Sequence, residues 1–250
     1  MAPMSDRRVL VTGSSRGIGR AIALKLASDG WNIALHYGFD QDEAERTQRA
    51  LGPKCVGVYQ GDLSDPRQAA KLFKAALADG PVHALVNNAG VYLPQDFVKA
   101  GDAAFQANFH KTFAVNFESP LLLTRAACRE FAVQGGGKVL NVASRVGFKG
   151  EAGAALYAAS KAALINLTRS LAAELGPKNI QLFAIAPGWV ETAMARDGME
   201  NRLDEILSGI PLARMARPED CAAAASFLFS DGASYLSGIA IDINGASYFH

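Results

Sequence analysis

The chain has 250 residues, half of them hydrophobic, and a formal net charge of +1. That size and apolar content suit one α/β domain with a substantial core, and the near-neutral balance leaves no strong field to recruit nucleic acid or an anionic membrane. Cys55, Cys128 and Cys221 are odd in number and far apart, which argues against a disulfide framework or a zinc site and points to a reducing compartment.

The opening stretch MAPMSDRRVLVTGSS follows its two arginines with only a short apolar run, unlike a secretory signal, and no run is long enough to cross a bilayer. A cytoplasmic protein is the expectation. Short β-branched runs then alternate with longer alanine-rich amphipathic stretches. In chain order the pattern predicts a strand over 8–12, a helix over 17–29, a strand over 31–36, a helix over 42–51 and a strand over 55–59. It continues with a helix over 66–78, a strand over 83–87, a helix over 120–133 and a strand over 138–142. A helix over 155–175, a strand over 181–186, a helix over 218–230 and a strand over 239–243 complete it. Asp65 before Pro66 and Ser119 before Pro120 read as helix caps ahead of an N1 proline. Seven buried parallel strands need helices on both faces, so the expected architecture is α/β: a single-domain Rossmann fold over 1–250 with a doubly wound parallel sheet. The least regular stretch, 189–217, carries Met194, Met199, Ile206 and Met215 and reads as a mobile cover over a site.

Directly after the first strand comes Thr12-Gly13-Ser14-Ser15-Arg16-Gly17-Ile18-Gly19, with an apolar-periodic helix beginning inside it. Gly13 can turn out of the strand, Gly17 can admit a pyrophosphate to backbone N–H groups, and Gly19 can let helix and sheet pack closely. No Lys-Ser or Lys-Thr pair follows the last glycine, which excludes a nucleotide-hydrolysing P-loop. Sites specific for NAD place an acid at the end of the second strand. Here that region reads His36-Tyr37-Gly38, with both side chains as candidate adenosine contacts and the nearest acid, Asp40, beyond the glycine. Arg16 sits in the loop where a guanidinium could pair with a 2′-phosphate, which predicts NADPH over NADH; its alternative is a solvated loop charge.

Tyr157 and Lys161 lie four apart in a helix-forming stretch and so share one face. A neighbouring ammonium stabilises a phenolate and lowers the tyrosine pKa toward a useful range; the plain alternative is a surface pair. Ser144 follows the strand over 138–142 at the carboxyl end of the sheet, where open α/β folds bind ligands, although a turn or cap role would also place it there. Asn116 could hold a water linking Lys161 to solvent, or make a local turn hydrogen bond.

The chain resembles the short-chain dehydrogenase/reductase family along nearly its whole length. The matching signatures are TGSSRGIG at 12–19, GDLSD at 61–65, NNAG at 87–90, Asn116, Ser144, YAASK at 157–161 and PGWVET at 187–192, in family order. The resemblance implies Tyr157 as general acid in reduction, Ser144 as polariser of the carbonyl, and Asn116 as anchor of a proton-relay water. It implies Lys161 as holder of the nicotinamide ribose and tuner of Tyr157. For the cofactor it implies the loop residues Gly13, Ser15, Arg16, Gly17, Ile18 and Gly19, then Asp62 and Leu63 near adenine, and Asn88 and Gly90 on the wall. Pro187, Gly188, Val190 and Thr192 complete the cofactor set, the last two at the carboxamide, and no metal is implied.

Among subfamilies the chain is most similar to 3-oxoacyl-acyl-carrier-protein reductases and their broad-specificity carbonyl reductase relatives. A small-molecule or acyl-thioester carbonyl substrate is therefore expected, with an acyl carrier protein as a candidate partner near Arg125 and Arg129 and a homotetramer as the assembly. Leu93, Val146, Phe148, Trp189, Met194 and Met199 are candidate pocket residues. The family's terminal Asp-Gly-Gly departs here to Ile243-Asn244-Gly245-Ala246, which puts its C-terminal contacts in doubt. Two other readings stay open: an NAD-linked alcohol or sugar dehydrogenase working oxidatively, and a protein that binds NADPH without turnover.

Overall fold

A computed structural model describes residues 6–196 and 202–250. Its frame is a parallel sheet of seven strands, β1 (Arg8–Val11), β2 (Asn32–Tyr37), β3 (Cys55–Gln60), β4 (Ala84–Asn87), β5 (Gly137–Val142), β6 (Ile180–Pro187) and β7 (Ala240–Ile243). The spatial order is β3-β2-β1-β4-β5-β6-β7, so chain direction across the sheet reverses between β1 and β4. The strands read as continuous apolar runs because both faces are covered. Val9, Val11, Ile33, Leu35, Leu140 and Val142 face one core, whereas Leu10, Ala34, Leu85, Val139 and Leu182 face the other.

The first core is covered by α1 (Gly17–Ser28), α2 (Gln41–Leu51) and α9 (Pro218–Phe229). The second is covered by α3 (Arg67–Ala78), α5 (Ser119–Val133) and α6 (Ala155–Leu175). Between β4 and α5 lies α4 (Asp102–Phe113), and the cover segment holds the short helices α7 (Ala193–Arg196) and α8 (Leu203–Ser208). Met199 lies outside the described residues. Among the described residues, no helix is long and apolar enough to cross a membrane, and no group of three or more His, Cys, Asp or Glu side chains is placed to hold a metal.

Every predicted strand and helix is present with its ends shifted by a residue at most, but one local expectation fails. No separate helix start exists at Ser119. The chain runs from α4 through a wide π turn over Ala114–Glu118 into α5, and Ser119 is helical, its N–H bonded to the Ala114 carbonyl. Its buried hydroxyl donates 2.8 Å away to the Leu63 carbonyl, tying this helix to the loop after β3 instead of capping. Asp65 does cap, since its carboxylate accepts the Arg67 N–H at 3.1 Å.

Two buried polar devices fix how the helices seat. Asn87 on β4 donates to Thr124 of α5 and Asn141 of β5 at 2.9 and 2.8 Å, and Asn141 donates to Thr168 of α6 at 2.9 Å. This ladder cross-links the two helices through the middle of the sheet. On the other face, buried Lys138 of β5 donates to the carbonyls of Phe229 and Ser230 at 3.1 and 2.8 Å, satisfying the open C-terminus of α9 with a cation. Burial pulls its pKa below the ordinary lysine value, with Asp231 acting against that shift. Lys138→Met removes these charge-assisted bonds and should lower unfolding stability by about 1–3 kcal/mol. The check is a reduced urea midpoint at an unchanged slope; an unchanged midpoint would show that the contact contributes nothing.

Candidate active site

The carboxyl ends of the strands open into a cleft of about 1170 Å³ that spans the reversal between β1 and β4. Open α/β sheets present their ligand crevice at such a point. One end is built by the glycine loop. Gly13 and Gly17 adopt φ of 61° and 56°, a region that penalises any side chain with a Cβ. A Cβ on Gly19 would lie 2.3 Å from both the Asn88 side chain and the Gly13 carbonyl, so glycine is required there for close approach. The loop is braced from β4: the Thr12 hydroxyl accepts the N–H groups of Asn88 and Ala89, and the Asn88 amide donates to the carbonyls of Thr12 and Gly13.

His36 is 1% exposed and spans two loops, its Nδ1 accepting the Gly13 N–H at 3.0 Å while Nε2 lies 3.0 Å from the Gly61 carbonyl. Burial lowers its pKa to about 4, partly opposed by Gly61, so at neutral pH the ring is uncharged with its proton on Nε2. Both nitrogens are committed to main chain, so the ring braces the loop while it also lines the cleft. Tyr37 packs against the core and does not line the cleft. Gly19 also lies behind the wall, whereas Ser15, Arg16 and Ile18 line it.

On the side of β3, Asp62 and Leu63 line the cleft, with the Asp62 carboxylate turned onto the Ser64 N–H and hydroxyl, each at 2.8 Å. Pro187, Gly188, Val190 and Thr192 form the wall after β6, and Gly90 lies on the opposite side. A Cβ on Gly90 would come within 3.3 Å of Asn116 and 3.5 Å of the Lys161 ammonium.

At the other end stand Ser144, Tyr157 and Lys161. Lys161 is 3% exposed, its Nζ donating to the Val142 carbonyl at 2.8 Å and sitting 5.7 Å from the Tyr157 ring centre. Burial lowers its pKa to about 8. Tyr157 moves the other way, to about 12, chiefly by burial; a hydrogen bond with Ser144 pulls it down, while Tyr92 and Glu151 push it up. The net shift of Tyr157 is thus upward, opposite to the direction expected from the spacing of Tyr157 and Lys161, because burial is its largest cause. Tyr92 meets Tyr157 edge to face at 5.1 Å.

Asn116 lies behind this group, fully buried in the π turn. Its Oδ1 accepts the Val91 N–H, and its Nδ2 donates to the Val91 carbonyl and the Ser160 hydroxyl. That side chain clamps the segment after Gly90, with both amide N–H donors engaged and one acceptor position left on Oδ1. Among the expected pocket residues, Leu93, Val146, Trp189 and Met194 line the cleft. Phe148 does not, because its ring is stacked on His250 at 3.7 Å and faces the Arg169 guanidinium. Sequence reasoning missed Tyr92, Arg145 and Glu151, which all line it. The positions of Tyr92 beside NNAG and Arg145 beside Ser144 were the available signals.

Comparison with known proteins agrees with this arrangement. A family described as Enoyl-(Acyl carrier protein) reductase matches residues 13–245. Nodulation protein G of Azospirillum brasilense is 37% identical over 97% of this chain and 98% of its own length. The 3-oxoacyl-acyl-carrier-protein reductase FabG of Aquifex aeolicus is 37% identical over 96% of both chains. Among solved structures, an NAD(P) dependent gluconate 5-dehydrogenase from Beutenbergia cavernae, described with bound NADP, superposes with a TM-score of 0.89 at 32% identity, covering 98% of this chain and 99% of that one. A blue fluorescent protein from a metagenomic library, in complex with NADPH, gives 0.89 at 30% identity with 98% of each chain covered. Sheet order, glycine loop and full-length similarity lead to one assignment: the chain belongs to the short-chain dehydrogenase/reductase family of oxidoreductases.

Proposed function

We propose that the protein is an NADPH-dependent reductase that converts a ketone to a secondary alcohol, with a 3-oxoacyl thioester or a related carbonyl compound as substrate. The observation that carries this reading is the meeting of Ser144, Tyr157 and Lys161 at one end of a cleft whose other end is a glycine loop opening into a helix. The residues fit a dinucleotide. The N-terminus of α1 leaves its first N–H groups open to an anion, and no acid occupies its first turn. The cleft of about 1170 Å³ is large enough for a dinucleotide beside a substrate. A nicotinamide cofactor bound there supplies hydride, which no side chain of the chain can do.

The choice of NADPH rests on charge. Exposed Arg16 lines the cleft beside the loop, while Asp40, which also lines it, has one carboxylate oxygen turned to the Glu43 N–H at 3.0 Å as the cap of α2. Two similar structures are described with NADP or NADPH. The relatives named 3-oxoacyl-acyl-carrier-protein reductase support the thioester, and Leu93, Val146, Trp189 and Met194 supply an apolar wall for an acyl chain.

In reduction the substrate oxygen would sit between the hydroxyls of Ser144 and Tyr157. Ser144 polarises it and Tyr157, a phenol protonated at neutral pH, gives the proton. Lys161 provides a cation behind the phenol that stabilises the phenolate left behind. A relay water would be held at the π turn that carries Asn116, by its main-chain carbonyls or by the acceptor position left on Asn116 Oδ1.

Loss of NADPH absorbance should be followed with acetoacetyl and longer 3-oxoacyl thioesters beside simple ketones. Tyr157→Phe is expected to keep cofactor binding and lose turnover by at least about a hundredfold, the ordinary worth of a positioned acid; near-normal turnover would refute the acid role. Turnover confined to simple ketones would keep the chemistry and remove the thioester. Arg16→Ala should weaken NADPH about tenfold or more and leave NADH nearly unchanged, since a charge-assisted contact contributes on the order of 1.5–3 kcal/mol. An unaltered ratio of the two affinities would remove Arg16 from the 2′-phosphate.

A further inference from the structure

One charged pair in the substrate end of the cleft has no part in the chemistry above. Arg145 follows Ser144 directly, is 8% exposed, and donates through Nη2 to Glu151 Oε2 at 2.8 Å. Its Nη1 donates to the Ser247 hydroxyl at 3.1 Å, so the guanidinium joins the Glu151 loop to the carboxyl-terminal tail. The tail is itself pinned: the Asn244 amide donates to the Tyr248 carbonyl at 2.9 Å, and His250 stacks on Phe148 and meets Asp242 at 2.9 Å. Ser247 is delivered by a left-handed turn in which Ala246 holds φ of 66°, a strained value for a residue with a Cβ. Strain of this kind persists where the surroundings over-determine the geometry.

Glu151 is thus held from behind while it lines the cleft together with Tyr92, Ser144 and Tyr157. Its side chain remains 25% exposed, and only Oε2 is engaged by a hydrogen bond among the described residues. A carboxylate offers about four acceptor positions, so Oε1 keeps acceptor capacity on the cleft wall. The charges around it balance. Arg145 neutralises Glu151, and Arg202, also on the cleft, is paired with Glu205 at 3.1 Å. Neither an anion nor a cation is favoured by such a set; the unmet demand is for a neutral hydrogen-bond donor.

We propose that Glu151, held in place by Arg145 and Ser247, is a specificity-determining residue that accepts a hydrogen bond from a neutral donor carried by the substrate beside its carbonyl. The proposal rests on the carbonyl-reductase reading of the cleft and narrows its substrate class. Two chemical sources present such a donor: a hydroxyl on the carbon chain, or an amide N–H of a thioester arm. An apolar ketone presents none.

The test uses two matched pairs, a hydroxyketone against its deoxy counterpart, and a 3-oxoacyl pantetheine thioester against the same acyl group on an S-ethyl thioester. Binding to the NADP-loaded protein is read by calorimetry, and kcat/KM is measured in parallel with NADPH. The wild type should prefer the donor-bearing member of one pair by about tenfold to a hundredfold, and the pair that shows it identifies the source. Glu151→Ala should erase that preference while binding of the donor-free member stays within about threefold. Glu151→Gln, which keeps an acceptor oxygen and guards against a folding defect, should retain part of it. Equal binding within both pairs by the wild type, or a preference that survives Glu151→Ala, overturns the proposal. If the wild type turns over neither pair, the reductase reading fails on kinetics while calorimetry still decides the role of Glu151.

Discussion

The structure turns on burying an ammonium at the carboxyl edge of a parallel sheet. Lys161 leaves water to meet a single carbonyl, that of Val142 at the end of β5, and this desolvation lowers its pKa to about 8. Partial burial on the cleft wall, with Tyr92 and Glu151 adding to it, raises Tyr157 to about 12. Burial disfavours whichever form is charged, so base and acid are driven toward neutrality from opposite directions. A tyrosine that keeps its proton is the form needed to donate one, and a lysine near the edge of titration is responsive to what binds beside it.

That burial is possible only because α6 is held in one register. Thr168 lies two turns beyond Lys161 on the same helix and is tied to Asn141, which is tied through Asn87 to Thr124 on α5. Polar groups in a core cost stability unless satisfied and then specify a unique packing. Here the ladder lies directly under the site. The loop after β4 extends the same logic, since Asn88 clamps the glycine loop while Asn116 clamps Val91. Cofactor cradle and reacting group are thus fixed to the same pair of central strands.

Most of the frame was legible in the sequence, because strands buried on both faces read as unbroken apolar runs and the glycine loop follows the first of them. What was not legible depended on tertiary partners. The α4 helix is largely exposed, and its signal, Phe105, Phe109 and Phe113 at helical spacing, is short and surrounded by polar residues. Ser119-Pro120 imitates a helix start, yet the helix reaches Pro120 directly from the π turn over Ala114–Glu118, and the serine finds Leu63 across the fold. His36 carries no hint in sequence that both ring nitrogens meet main chain. The opposed behaviour of Tyr157 and Lys161 was hidden for a similar reason: spacing shows that two groups are adjacent, whereas burial decides which way each titrates.

The most direct test of this account is the pH dependence of kcat/KM for carbonyl reduction, which reports the free enzyme. With Lys161 charged below its lowered pKa and neutral above it, activity should be level through the acidic and neutral range and fall as pH rises through about 8. A profile that stays level until the ordinary lysine range would show that Lys161 is not desolvated, and would contradict the account at its base.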